Sequence, residues 1–215
     1  MGTVRIIHTA DNHIGLKFNN YSGTQAQSAL VQERLNALKN VVDASNQHDA
    51  HFLVVAGDLF DNLKVTLKEV KGVVDILKKS QAEVLVLPGN HDYYDGKDNK
   101  LWKMFLDVSE NSNIRLMHQS EPYRTECGGQ TVCFYPAPCM SKHHEGHVIG
   151  WVQAIEKSPN EIHVGIAHGN VENLGVDEAD RYFNMTESDL RQAGVDFWLL
   201  GHIHVPFPEI GRAHV

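Results

Sequence analysis

An α/β domain with a largely parallel sheet is predicted by two features of this chain. Short apolar runs rich in β-branched residues alternate with segments of helical periodicity. Each run also stops abruptly at an aspartate, asparagine or histidine. The first feature is the strand-helix-strand order of parallel strands joined by crossovers. The second puts polar groups just past the carboxyl ends of strands, where open α/β sheets bind ligands. The 215 residues, 42% hydrophobic and 21% charged, suit a globular chain with a sizeable core. No repeat, low-complexity tract or linker divides them, so residues 1–215 read as a single domain.

Val4 to Thr9 reads as the first strand and runs into Ala10-Asp11-Asn12-His13. From Ser22 to about Gln47, Leu30, Leu35, Leu38, Val41 and Val42 recur at helical spacing. Phe52 to Ala56 is a buried strand that ends at Gly57-Asp58-Leu59-Phe60-Asp61. Thr66 is the N-cap of the next helix, with Glu69 as capping-box partner and Val70, Val73, Val74 and Leu77 on one face. Glu83 to Leu87 is the third strand, stopped by Pro88-Gly89 before Asn90-His91-Asp92.

The second half is read in the same way. Asn99 to Val108 is a short helix. Ile114 to Met117 and Thr131 to Tyr135 are strands around a polar loop holding Gly128-Gly129. Val148 to Lys157 is a helix, and Ile162 to Ala167 is a strand ending at His168. Thr186 with Asp189 caps a helix up to Gln192, closed by Gly194. Val195 to Leu200 is the last strand, ending at Gly201-His202-Ile203-His204. Pro206 to Val215 offers no closing element, so the domain is expected to be truncated at its C-terminus.

Composition excludes several classes. A formal charge of −8 without a basic arm is not that of a protein binding nucleic acid through bulk positive charge. No apolar window is long enough for a transmembrane helix, and the N-terminus lacks a signal-peptide pattern. Three cysteines make no disulfide framework and fit a reducing cytoplasm, the expected compartment. With His143, His144 and His147 they match no common zinc spacing either. Fourteen histidines are many for this length, and several stand at strand ends, where metal ligands and acid-base groups are placed.

Together the strand ends offer Asp11-x-His13, Gly57-Asp58-x-x-Asp61, Gly89-Asn90-His91-Asp92, His168 and Gly201-His202-x-His204. Carboxylates, an amide and imidazoles make a donor set suited to Mn²⁺, Fe²⁺ or Zn²⁺ rather than Ca²⁺. Two ions need a bridging group, and Asp58, with two carboxylate oxygens, is the natural one. Such a pair can hold a hydroxide for in-line attack at phosphorus. Asp61 either supports a ligand or caps the next turn. Tyr93-Tyr94 could stack on a base or pack internally, and Lys17, Lys97, Lys100 and Lys103 could meet phosphates or face solvent.

In order and spacing, these five motifs resemble the calcineurin-like metallophosphoesterase superfamily over nearly the whole chain. The resemblance implies a two-sheet sandwich flanked by helices and a dinuclear centre. Asp11, His13, Asp58 and His204 would hold one ion, and Asp58, Asn90, His168 and His202 the other. His91 would face the substrate as acid or transition-state stabiliser, oriented by Asp92. Within the superfamily, Ile7-His8-Thr9-Ala10-Asp11-Asn12-His13-Ile14-Gly15, Ala56-Gly57-Asp58-Leu59-Phe60-Asp61 and the intervening Glu33-Arg34-Leu35 are similar to the nuclease subunit of SbcCD-type repair complexes. That implies an Mn²⁺-dependent DNA exonuclease and endonuclease working with an SMC-type ATPase, and leaves room for a homodimer. A small-molecule phosphodiesterase, a phosphoprotein phosphatase and a non-catalytic scaffold are the alternatives on the same fold.

Overall fold

The computed structural model describes residues 3–96, 98–143, 148–172 and 183–204. Two four-stranded sheets pack face to face with helices outside them. The first sheet holds β1 (Ile6–Thr9), β2 (Phe52–Ala56), β3 (Glu83–Leu87) and β4 (Ile114–Leu116), all parallel and in sequence order. The second holds β5 (Tyr123–Cys127), β6 (Gln130–Ala137), β7 (Glu161–His168) and β8 (Phe197–Gly201), with β5 antiparallel and the others parallel. This is the α/β two-sheet sandwich expected from the sequence.

The central strands are apolar throughout because both of their faces are covered. Phe52, Val54, Ala56, Leu85 and Leu87 meet Val132, Phe134, Val164, Ile166 and Leu199 between the sheets. The alternate residues Leu53, Val55, Val84 and Val86 face helices α1 (Gln25–Gln47), α2 (Leu67–Leu77) and α3 (Lys100–Ser109). Helix α2 seats Val70, Val73, Val74 and Leu77 there, all fully buried, and each such side chain contributes about 1.5–3 kcal/mol relative to exposure. Its start is the capping box read from the sequence: Glu69 N–H donates to Thr66 Oγ1 at 3.3 Å, and Thr66 N–H to Glu69 Oε2 at 2.6 Å. Thr186 and Asp189 repeat the device on α5 (Glu187–Gln192), and Gly194 follows in the left-handed conformation at φ 64°. Short α4 (Gly150–Gln153) and α5 cover the outer face of the second sheet.

Three expectations are corrected. Helix α1 starts at Gln25, not Ser22, because residues 19–21 form a 3-10 turn and Gly23 has φ 74°; Thr24 is the N-cap. The helix expected over 148–157 is confined to Gly150–Gln153, since the Lys157 ammonium turns back to the Val152 and Ile155 carbonyls at 2.7 and 3.1 Å. Part of the polar loop before Thr131 is β5. It forms a hairpin with β6 through Gly128-Gly129, whose φ of 59° and 77° give the two positive values a tight two-residue turn demands.

The site-bearing ends of β1, β2 and β3 belong to one sheet, and those of β7 and β8 to the other. They meet where β2 touches β7 and β8. A Cβ on Gly57 would lie 2.1 Å from His168 Nδ1, and one on Gly201 would lie 2.0 Å from the Ala56 carbonyl. Glycine at these positions lets the two edges close on each other.

Candidate metal centre

Four of the residues brought together have positive φ without being glycine: Asp11 at 56°, His13 at 45°, Asp58 at 52° and His202 at 99°. Such backbone costs on the order of 1–3 kcal/mol per residue and persists only where neighbours fix it. Here main-chain bonds continue past the strand ends. Asp11 N–H donates to Gly57 O at 3.1 Å, His13 N–H to Asp58 O at 2.9 Å and Ile14 N–H to Leu59 O at 2.9 Å. The first two loops therefore run side by side as one unit.

Asp58 is buried at the centre, as read from the sequence. Its Oδ1 accepts the His91 N–H at 2.8 Å. Its Oδ2 lies 3.7 Å from His13 Nε2 and 3.3 Å from His168 Nε2. This differs from a bridge through both oxygens: Oδ1 accepts from the backbone, and Oδ2 is the oxygen that faces the two imidazoles. Gly89 makes room for this carboxylate, because a Cβ there would lie 2.2 Å from Oδ1.

On one side, His168 is fully buried and its Nδ1 lies 2.9 Å from the Ala56 carbonyl. A carbonyl only accepts, so Nδ1 carries the proton. Nε2 then faces Asn90 Oδ1 at 2.9 Å as well as Asp58 Oδ2. Three lone-pair atoms converging in a buried space require a cation among them. Without a metal, that cation is a proton. Burial opposes the charged imidazole, but the hydrogen bond and charge of Asp58 outweigh it and hold the His168 pKa up. The same pairing, against burial, holds the Asp58 carboxyl well down. His202 completes this side, its ring edge-on to His168 at 5.2 Å between centroids.

On the other side, His13 is buried with both ring nitrogens lacking a hydrogen-bond partner. Burial lowers its pKa, only partly offset by Asp58, so the ring is neutral and has a lone pair to give. Asp11, His13 and His204 each offer a ligand atom within 4.8 Å of the others, as do Asp11, Asp58 and His168. Asp11 also ties the last loop to the first by accepting the His202 N–H at 3.0 Å. Orphaned imidazole nitrogens beside two carboxylates, and converging acceptors around His168, fit two divalent cations sharing Asp58. All seven residues read as metal ligands thus lie together.

The roles around His91 differ from expectation. Asp92 does not orient its ring. The Asp92 carboxylate is fully buried and accepts Phe60 N–H at 2.9 Å and Gly89 N–H at 2.7 Å, clamping the second loop to the third. Burial and the nearby Asp58 charge push its pKa up despite those bonds. The group that orients His91 is the Asp61 carbonyl, 2.9 Å from Nδ1. The Asp61 carboxylate lies near a ligand residue without bonding to it, Oδ1 being 3.6 Å from His13 Nδ1, and its Oδ2 accepts from the neighbouring Asn62 amide at 3.1 Å. Tyr94 packs on His118 with centroids 4.6 Å apart. Lys17, Lys100 and Lys103 are exposed, while Lys97, His144 and His147 lie outside the described residues.

A cavity of about 330 Å³ opens over the centre, lined among others by His13, Asp58, Asp61, His91 and Arg34. Sequence reasoning gave Arg34 no role. Its signal was register: Arg34 stands one turn before Leu38 and two before Val42, the buried positions of α1.

Comparison with known proteins shows the family of the chain. The chain is 24% identical over 206 residues to a protein described as uncharacterized metallophosphoesterase YhaO from Bacillus subtilis, covering 92% of this chain and 48% of that protein. The chain therefore spans about half the length of this curated relative. One solved structure overlays 92% of this chain and 83% of its own at a TM-score of 0.56 and 12% identity, a likeness of fold. The phosphopantetheinyl hydrolase PptH from Mycobacterium tuberculosis overlays 96% of this chain and 85% of its own at a TM-score of 0.49 and 12% identity. The family model for calcineurin-like phosphoesterases matches residues 4–206, and the chain belongs to that family of metal-dependent phosphoester hydrolases.

Proposed function

We propose that this chain hydrolyses phosphodiesters in DNA with two Mn²⁺ ions, as the nuclease half of an assembly with an SMC-type ATPase. The observation that carries the dinuclear phosphodiesterase reading is Asp58 Oδ2 standing between His13 and His168, with His91 at the rim. When bound, two divalent ions supply positive charge for the phosphate oxygens and a nucleophilic water at neutral pH. Asp11, His13, Asp58 and His204 would hold one, and Asp58, Asn90, His168 and His202 the other. The chain's own groups do the rest. The Asp61 carbonyl holds one proton of His91 on Nδ1 and turns Nε2 away from it; the doubly protonated ring gives its Nε2 proton to the leaving oxygen and is left neutral with its proton on Nδ1. Asp92 keeps the loops of Asp58 and His91 at fixed separation.

Motif resemblance at Asp11 to Gly15 and at Ala56 to Asp61 supports DNA as substrate. Imidazoles, carboxylates and the Arg34 guanidinium line the cavity beside Leu16, which supports a phosphate group as the part of the substrate held there. The test is a Mn²⁺-dependent assay on linear duplex DNA beside bis-p-nitrophenyl phosphate. Cleavage of both is expected. Hydrolysis of the ester alone would replace DNA by a small diester, and no hydrolysis with no bound metal would leave a scaffold. In His91→Ala, turnover is expected to fall by about 10²–10⁴-fold with both metals retained. Loss of the metals in that variant would remove His91 from its role.

A further inference from the structure

Resting on the phosphoesterase reading, we propose that Arg34 is the substrate anchor of this site, its guanidinium taking a non-bridging oxygen of the phosphate at the cavity mouth. Four observations point to it. Arg34 stands on the inward register of α1, where a charge is out of place unless it has something to hold. Its Nη1 donates to the Asn12 carbonyl at 2.7 Å, and Asn12 lies between Asp11 and His13, so the guanidinium is aimed by the ligand loop itself. It is braced from another side by the Phe18 ring, 5.2 Å from Cζ to centroid, and Phe18 is held at φ 50°. Its Nε is buried without an acceptor.

A buried guanidinium donor with no partner is rare, because each such group loses its bond to water and regains nothing. Among the described residues Arg34 forms no ion pair, and of those lining the cavity it alone is permanently cationic. The walls otherwise carry Asp58, Asp61 and imidazoles, so an entering phosphate meets carboxylates wherever bound cations do not screen them. A planar, stacked fork with free donors is the side chain suited to an oxygen of a tetrahedral anion. Bracing of the Asn12 loop engages Nη1 alone, and Nη2 is the donor left to meet a phosphate in the cavity.

Orthophosphate binding to the Mn²⁺-loaded 215-residue chain, read by calorimetry, separates anchor from brace without requiring turnover. Arg34→Met keeps the packing on Phe18 and is expected to bind orthophosphate at least about tenfold more weakly, with metal content and melting temperature as in the parent chain. Phosphate affinity within twofold of the parent would overturn the proposal. Arg34→Lys keeps a charge and a donor for Asn12, so it decides the matter if the methionine variant loses metal or stability. It is expected to hold its metals and still bind phosphate several-fold more weakly, and parental affinity there would also overturn the anchor. A parent chain that takes up Mn²⁺ but binds no orthophosphate would instead overturn the phosphoesterase reading beneath it.

Discussion

The two halves of the centre share Asp58 but differ in how they are closed. Around His168, side-chain exposure is 0%, Asn90 and Asp58 are also buried, and His168 Nε2 lies within 3.3 Å of both Asn90 Oδ1 and Asp58 Oδ2; besides the shared Asp58, only His202 of this half reaches the cavity. Around His13, the pocket is open on one side: the His204 side chain is 62% exposed and that of Asp11 15%. The closed half is preorganised by the meeting of two sheets, through Gly57 and Gly201. The open half is built from a loop pair and a histidine on the surface. An ion in the closed half is held by groups with nowhere else to go, whereas the open half recruits His204 from solvent. The difference predicts that an ion bound in the closed half would be retained and one in the open half, beside His91 and the cavity, would exchange.

Asp58→Asn should break both halves at once. The amide oxygen can still accept the His91 N–H, but the amide nitrogen then replaces Oδ2 and presents hydrogens to His13 and His168. Elemental analysis should find both ions lost, and ester hydrolysis should fall by more than about 10³-fold. Retention of a full pair of ions would show that Oδ2 does not bridge.

The histidine pair tests the asymmetry directly. His168→Ala removes a buried ligand and should abolish tight binding in the closed half, exceeding the roughly 10–100-fold loss that follows removal of an outer hydrogen-bond partner. His204→Ala should weaken only one of two Mn²⁺ binding steps, by about 10–100-fold, leaving the tighter step unchanged. Calorimetric titration resolves the steps. Loss of the tighter step in the His204 variant would reverse the comparison.

The same contrast explains what could be read from sequence. The closed half was legible because apolar runs such as Phe52 to Ala56 and Ile162 to Ala167 announce buried strands, and a polar residue ending one has few other reasons to be there. Strand β5, Tyr-Arg-Thr-Glu-Cys, was not legible: it is an exposed edge strand whose polar residues look like a loop. Nor were the groups that act through the main chain or across distance. The Asp61 carbonyl that holds His91 has no side-chain signature. Asp92 sits beside His91 in sequence yet points to Phe60 and Gly89. That direction is set by the packing of two loops, and spacing carries no trace of it.

Within any one pH unit the smallest expected effect is a pH dependence confined to the closed half. In the metal-free chain burial opposes a charged His168, yet Asp58 holds its pKa at about 9, above the ordinary 6.5. A raised imidazole pKa stabilises the fold fully below pH 6.5 and loses that contribution as pH climbs through about 9. The metal-free chain should therefore melt at progressively lower temperature between those values. Metal binding runs the other way, because an ion must displace the proton from Nε2. Affinity at the tighter step should rise with pH across that window, approaching about tenfold per pH unit for one released proton, and level off above it. The open half, where His13 is already neutral, should show a much flatter profile. Mn²⁺ titrations in buffers of different protonation enthalpy measure the proton count at each step. A tighter step that releases no proton near neutral pH would place the retained ion elsewhere than beside His168.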